Sequence, residues 1–346
     1  MKLIILFGGA SFEHEISIVS AITVKEKLQN NFELEYIFCD QDHTFYQVPA
    51  DKMKSKTFST AEHKKFQKLQ FSQGCFSFSK MFSKGEIIGT VLNLIHGADG
   101  EDGTISSLLD FYNISYIGPR TDASVFSYDK RYTKMLAKEK GINYIKYEIL
   151  NNKEQRDIEI PLPVIVKPVR LGSSIGVSIV KEMDELDYAL DVAYEFDSNV
   201  IVEPFIEGVK EYNLAGYFAN GALHYSIVEE PQKQEFLDFE KKYMDFSRSS
   251  HVSQADISDE LEIKLQNAFK TIYTGMFEGA LIRCDFFVIE NEVYLNEINP
   301  IPGSMANYLF DDFSNVIEDL ANSLPQKKRA QVTYEYIDSI SKAKGK

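Results

Sequence analysis

Residues 283–303 read RCDFFVIENEVYLNEINPIPG, two runs of strand-forming residues around a short polar turn. A stretch of this kind folds as a β-hairpin, and a hairpin leaves little freedom in which side chains meet. Alternate residues of a strand share a face, so Glu297 and Asn299 project from the same side, with Asp285 on the preceding strand. A three-residue loop over 290–292 sets residue 289 opposite 293, and therefore Asp285 opposite Glu297 and Arg283 opposite Asn299. A two-residue turn would set Asp285 against Asn296 instead. The first register is favoured because Asn291 tolerates a left-handed turn and the polar groups then converge. Two like charges opposite one another destabilise a sheet unless a cation lies between them. Carboxylate and amide oxygens without His or Cys are hard ligands, suited to one or two Mg²⁺ ions bridging phosphates, roughly 3.5 to 4 Å apart when paired. A solvated strand face, or an ion pair with Arg283, are the alternatives.

The rest of the chain is laid out in alternation. LIILF (3–7) is an apolar run stopped by Gly8 and Gly9, and Ile16, Val19, Thr23 and Leu28 follow at helical spacing. The pattern returns at TVLNLIHGADGEDGTISSLLDFY and ISYIGP, which indicates a parallel sheet with its ligand loops beyond the strand C-termini. Glu13, His14 and His96 fall in such loops. Residues 40–85 read as a hairpin and helix insertion, and Ala123 to Lys140 as one helix stopped by Gly141. LPVIVKPVRLGSSIGVSIV gives two strands around a glycine- and serine-containing loop, and DELDYALDVAYEF a helix. Residues 211–229 alternate as strands, the stretch after them reads as a long loop, and SDELEIKLQNAFKTIYTGMF is a helix.

A chain of 346 residues exceeds what one core organises, so two or three domains are expected. A net charge of −15 argues against nucleic acid or an anionic membrane as the main partner. Three cysteines with no CxxC spacing signal neither a disulfide framework nor a zinc site and fit the cytosol. The N-terminal apolar run is too short for a signal peptide or a membrane span, so a cytoplasmic location is expected.

Lys167 closes the strand VIVK, and LGSSIG follows it. Glycines allow backbone N–H groups close to phosphate oxygens, and the two hydroxyls, Ser173 and Ser174, add donors. An ordinary hairpin turn is the alternative for this loop taken alone. Neither GxxxxGK[ST] nor GxGxxG occurs anywhere, which removes a P-loop and a redox dinucleotide fold from consideration. Beside a Mg²⁺ hairpin on another domain, the loop points to a nucleotide clamped between domains.

Taken together, FGGASFEHEIS, HGADGEDG, YIGP, SYDK, VIVKP…GSSIGV, VEPFIEG…EYN, RCDFF and NEINPIPG stand in an order and spacing that resemble the D-alanine–D-alanine ligases of the ATP-grasp superfamily. The resemblance implies an α/β ATP-grasp fold of three domains. These would be an N-terminal parallel-sheet α/β domain (1–120), a central domain with the glycine/serine loop (121–202), and a C-terminal domain (203–346) with the Mg²⁺ site and a mobile loop at about 230–250. It implies ATP-dependent joining of two D-alanines through an acyl phosphate, for peptidoglycan precursor synthesis, by a cytoplasmic homodimer. Asp285, Glu297 and Asn299 would hold two Mg²⁺, with Mn²⁺ able to substitute. Lys130, Lys167 and Lys242 would contact the phosphates. Glu203, Pro204, Phe205 and Ile206 would line adenine, and Glu211 would hold ribose. Glu13 would take the ammonium of the first D-alanine, its alternative role being a helix N-terminal carboxylate. His96 is placed against that same substrate, Arg283 and the N–H of Gly303 at the oxyanion, and Ser173 and Tyr243 in the closure of the mobile loop. Tyr243 favours D-alanine over D-lactate as second substrate. The chain departs from the family in having Pro204 for a Lys and, after Gly303, the run Ser304-Met305-Ala306-Asn307-Tyr308-Leu309. Tyr308 aligns with a Ser that binds the second D-alanine carboxylate. A ligase for D-lactate or D-serine, and a non-catalytic nucleotide-binding regulator, are the competing readings.

Overall fold

The structure is a computed structural model that describes residues 1–80, 83–231, 252–326 and 330–344. β1 (Lys2–Gly8) is buried on both faces, as a strand enclosed in a parallel sheet must be. It ends at Gly8, φ 103°, where a Cβ would lie 2.1 Å from the carbonyl oxygen of Cys39. After α1 (His14–Leu28) come β2 (Glu33–Cys39), β3 (Phe45–Val48), α2 (Ser55–Ser59), β4 (Gln67–Ser72), β5 (Cys75–Lys80), β6 (Ser83–Ile87), β7 (Thr90–Asn93), α3 (Thr104–Phe111) and β8 (Tyr116–Ile117). They build an eight-stranded sheet in the order β6-β5-β4-β3-β2-β1-β7-β8. The part nearest the candidate site, β2-β1-β7-β8, is parallel as the alternation predicts. The 40–85 insertion is more than a hairpin and a helix: β3 to β6 extend the same sheet antiparallel.

Where periodicity predicts one helix over 123–140 there are two, α4 (Thr121–Tyr128) and α5 (Lys130–Glu139). The break is Asp129 (φ −90°, ψ 112°), whose carboxylate accepts hydrogen bonds from the N–H groups of Arg131 and Tyr132. Asp competes for such N–H groups and is favoured at a cap rather than inside a helix. Restarting the helix there puts Lys130 and Lys134 one turn apart on one face of α5.

β9 (Asn143–Tyr144), β10 (Glu148–Leu150), β11 (Val164–Pro168), β12 (Ser178–Val180), α6 (Leu186–Tyr194) and β13 (Val200–Pro204) follow. The second sheet, β10-β13-β11-β12, carries α6 on a core of Val164, Val166, Leu190 and Val202. The remaining elements are β14 (Lys210–Ala219), β15 (Ala222–Glu229), α7 (Asp259–Tyr273), β16 (Leu281–Ile289), β17 (Glu292–Asn299), α8 (Phe313–Asn322) and α9 (Glu335–Lys344). The third sheet runs β15-β14-β16-β17-β9. α7 packs on it through Leu265, Phe269 and Ile272, as do α4 and α5 through Ala123, Leu136 and Ala137. The 121–145 stretch thus belongs with the third sheet rather than the second. Residues 301–320 likewise pack through Met305, Leu309 and Ile317 into the core that holds Leu3, Ile5 and Phe7. We propose three lobes, one per sheet, with these two segments crossing between them. Among the described residues, no helix is long and apolar enough to cross a membrane, and all three cysteines are buried free thiols.

Candidate active site

The hairpin β16–β17 sets Asp285 opposite Glu297 and Arg283 opposite Asn299. It does so by a different route from the favoured one. Ile289 pairs with Glu292, so the turn is the two-residue Glu290–Asn291, both with positive φ (51° and 64°) as a type I′ turn requires. A bulge then absorbs Asn296, because Phe286 pairs with Leu295 while Asp285 pairs with Glu297. Ile282, Cys284 and Phe286 face the α7 core, so Arg283 and Asp285 face the other way, toward the site.

The ion pair named as an alternative is present. Arg283 forks onto Asp285, with Nε 2.6 Å from Oδ1 and Nη2 2.8 Å from Oδ2, and Asn299 Nδ2 donates to Asp285 Oδ2 at 3.0 Å. Burial pushes the Asp285 carboxyl up; Arg283 opposes this, and Glu297 reinforces it. For Glu297 burial acts upward too, but Lys130, Lys167 and Arg283 outweigh it and hold the group low. The guanidinium therefore stands where a cation is wanted. Two facing carboxylates and an amide, all oxygen donors, fit a hard divalent ion once Arg283 turns away. Among the described residues no cluster of three His, Cys, Asp or Glu side chains is arranged to hold a metal, so the amide of Asn299 is needed to complete this donor set.

Beyond β17 the chain makes an unusual turn. Ser304, Met305 and Ala306 all take left-handed conformations, φ 48°, 54° and 47°, which L-residues adopt at a cost of roughly 1–2 kcal/mol each. All three are buried, and the N–H of Ser304 donates to Ser20 Oγ at 3.1 Å. The turn places the Tyr308 hydroxyl 3.4 Å from Arg283 Nη1. Burial raises the Tyr308 pKa, so the phenol stays protonated.

Glu13 precedes α1 but does not cap it; no side-chain capping bond is made there. Its Oε1 instead accepts a 2.7 Å hydrogen bond from Ser173 Oγ, joining the N-terminal sheet to the glycine/serine loop. That loop turns through Ser173 and Ser174, φ 56° and 57°. Glu13 is 6% exposed, and its Oε2 has no hydrogen-bond partner among the described residues. A buried carboxylate oxygen left this way is costly until a donor arrives. Gly97 and Gly172 line the carboxylate, since a Cβ at either would lie 2.9 Å from one of its oxygens. His96 is buried, with Nε2 2.9 Å from Ser20 Oγ and Nδ1 3.4 Å from Glu101 Oε1. Burial drops its pKa to about 4 and lifts that of Glu101 to about 8, so the imidazole is neutral at pH 7.

On the nucleotide side, Lys130 Nζ donates to the carbonyl of Leu171, at the head of the loop. Lys167 Nζ lies 2.7 Å from Glu203 Oε2, and Lys134 Nζ lies 2.6 Å from Glu203 Oε1. Burial would raise the Glu203 pKa, but the two ammonium groups outweigh it and bring it to about 2. Phe205 N–H donates to the carbonyl of Pro163, fixing the chain just past Pro204 at the C-terminal end of β13, an inner strand of the second sheet, and Phe205 and Ile206 are half-buried. Glu211 sits on β14 opposite Phe287 of β16 and near enough to Lys167 to favour its charge. Gly303 opens the left-handed turn. Lys242 and Tyr243 lie outside the described residues, as does most of the 230–250 loop. Lys134 and Glu101 were not singled out from the sequence, although Lys134 was findable as a lysine one helical turn beyond Lys130.

The sequence matches two family models, described as "D-ala D-ala ligase N-terminus" over residues 2–119 and "D-ala D-ala ligase C-terminus" over 136–315. The chain belongs to the D-alanine–D-alanine ligase family. A D-alanine–D-alanine ligase from Sulfurimonas denitrificans is 67% identical over 346 residues, all of both chains. One from Helicobacter hepaticus is 54% identical, again over all of both. The crystal structure of the Helicobacter pylori D-alanine–D-alanine ligase superposes with a TM-score of 0.84 at 48% identity, over 95% of this chain and 100% of that one. The VanG D-Ala:D-Ser ligase of Enterococcus faecalis superposes at 0.73 with 26% identity, over 93% of this chain and 97% of that one. The three-sheet architecture is therefore the ATP-grasp fold of these ligases.

Proposed function

We propose that the chain joins two D-alanines at the expense of ATP, giving D-alanyl-D-alanine, ADP and phosphate for peptidoglycan precursor synthesis. The observation that carries the reading is the Glu13–Ser173 bond, which leaves a buried carboxylate oxygen without a donor beside Lys130, an ammonium that feels the charge of both Glu13 and Glu297. Full-length relatives named for this activity support it.

In this reading Glu13 takes the ammonium of the first D-alanine, and neutral His96 lies against the same substrate. A carboxylate oxygen of that D-alanine attacks the γ-phosphorus, the bond to ADP breaks, and a D-alanyl phosphate forms. Lys130 and Lys167, with Lys242, balance charge as the phosphoryl group moves. Asp285, Glu297 and Asn299 would hold two Mg²⁺, whose chemistry is to neutralise the triphosphate. Glu203 and the backbone of Pro204 to Ile206 line adenine, Glu211 the ribose, and Ser174 adds a hydroxyl donor at the phosphates. The amine of the second D-alanine then attacks the acyl carbon. Arg283 and the N–H of Gly303 stabilise the oxyanion, the C–O bond to phosphate breaks, and the amine gives up its proton. Tyr308 hydrogen-bonds the second carboxylate, and Ser173 with Tyr243 closes the site so that water does not intercept the acyl phosphate. A cytoplasmic homodimer completes the proposal.

The test is phosphate release from Mg²⁺–ATP with D-alanine alone, D-alanine plus D-lactate or D-serine, and L-alanine, each product identified by mass. D-alanyl-D-alanine from D-alanine alone is expected. A mixed product formed in preference would reassign the second substrate, and no release despite ATP binding would leave a nucleotide-binding regulator.

A further inference from the structure

Lys134 has no part in the mechanism above, yet it is among the most deeply buried charges in the molecule. Its side chain is 2% exposed and meets Glu203 at 2.6 Å, while Lys167, 13% exposed, holds the other oxygen of the same carboxylate at 2.7 Å. Lysine is almost never fully buried unless paired. Stability alone is a weak reason for such a pair, because apolar residues of the same volume often serve as well. Two cations on one carboxylate leave the group with a net positive charge, which suits a pocket that receives a polyanion. They are also unequal in position: Lys167 stands at the more open side, at the end of β11, whereas Lys134 is enclosed in α5. Lys167 is the more exposed of the two and so the one with room to turn toward a bound triphosphate, and its leaving would remove half of the compensation of Glu203.

We propose that Lys134 is a positioning residue that keeps Glu203 charged and fixed, so that Lys167 can leave that carboxylate for the triphosphate without stranding a buried anion. The inference rests on the nucleotide reading of this pocket given above. Glu203 holds its low pKa through both ammonium groups, and removing one partner of a buried charge pair is far more damaging than never having built it. Without Lys134, Lys167 is detained on Glu203 and ATP is held more weakly, whereas a bound nucleotide still reacts at close to the normal rate.

The experiment uses the full chain and the non-hydrolysable analogue AMP-PNP with Mg²⁺, titrated calorimetrically, beside steady-state kinetics. For K134M the Kd for the analogue and the KM for ATP are expected to rise on the order of 10- to 100-fold, the range of coupling between residues in direct contact. kcat at saturating ATP and KM for D-alanine move less than about threefold, and K134R restores the Kd to within about threefold. In an E203Q background, where there is no anion to strand, adding K134M changes the Kd less than about threefold. An unchanged Kd in K134M, or the same loss with and without the Glu203 charge, overturns the inference. If K134M does not fold, the K134M/E203Q double variant decides: folding and binding the analogue as E203Q does supports the coupling, and failing to fold assigns Lys134 to packing and overturns it. A wild-type chain that binds no nucleotide refutes the nucleotide reading itself, a result separate from any of these.

Discussion

Replacing Gly172 with alanine tests the site at a single atom. A Cβ there would lie 2.9 Å from Oε1 of Glu13, and the three nearest atoms, including Cδ and Oε2 at 3.5 Å, all belong to that carboxylate. Gly172 does not have a positive φ, so its backbone accepts alanine without strain. The new methyl therefore acts on Glu13, which must yield by a few tenths of an ångström. Glu13 is buried, and the shift stretches its 2.7 Å bond from Ser173. A hydrogen bond to a charged group contributes about 1.5–3 kcal/mol, and overpacking costs about 1–3 kcal/mol. Since about 1.4 kcal/mol is a factor of ten, kcat/KM for D-alanine is expected to fall roughly 10- to 150-fold. The Kd for AMP-PNP should change less than kcat/KM does, because the new methyl meets Glu13 while Glu203 and its two lysines are untouched. The assay is coupled ADP release at varied D-alanine, with calorimetry for the nucleotide. If G172A retains kcat/KM to within about threefold, Glu13 is not held in place by Ser173, and the argument from its geometry is refuted.

Glu203 has its pKa lowered from 4.5 to about 2, so its ionised form is favoured in the folded state; the stabilisation is fully present above pH 4.5 and is lost as pH falls toward 2. That shift amounts to on the order of 3 kcal/mol, of which about 2 kcal/mol is lost between pH 5 and pH 3, so urea unfolding at those two pH values should show a loss on acidification smaller by roughly 2 kcal/mol in E203Q than in the parent. His96, its pKa dropped to about 4 by burial, contributes stability present above pH 6.5 and lost as pH falls through 4; its imidazole NMR signals should titrate near 4, and a midpoint near 6.5 would contradict its enclosure. Glu290, exposed at φ 51° in the hairpin turn, should gain from replacement by Asn: E290N is expected to raise stability by about 0.5–1 kcal/mol with activity unchanged, and a fall in melting temperature would speak against the two-residue turn.

What could be read from the residues beforehand was whatever follows a period. The run 3–7 and the helical spacing after it predict β1 and α1, and the Ser258 start predicts α7, whose cap accepts the N–H of Leu261. The break at Asp129 was missed because the apolar period continues across it, while a single side chain decides where the backbone restarts. The left-handed turn over Ser304–Ala306 carries no glycine or asparagine in those three positions to announce it, so it is imposed by packing against α1 and the first core. Lys134 escaped notice since a lysine on a helix is normally a solvated one, and only the third dimension shows Glu203 above it.

The pairing of β16 with β17 is set by a two-residue turn and a bulge acting together. Strict alternation along β17 would send Val293, Leu295, Glu297 and Asn299 to one face and leave Ile298 on the other. The structure instead puts Val293, Leu295 and Ile298 in the α7 core, and that is possible only because the bulge at Asn296 shifts the phase of the strand by one residue. The spacing of three between Leu295 and Ile298, after two between Val293 and Leu295, was present in VYLNEIN as a slip in the apolar period. Read as such, it calls for one extra residue, and one extra residue combined with a two-residue turn reproduces the Asp285–Glu297 pairing that the three-residue loop was invoked to explain. The bulge thus does two jobs that a regular strand cannot combine: it keeps the apolar residues of β17 under α7, and it turns Glu297 and Asn299 to the face that carries Arg283 and Asp285.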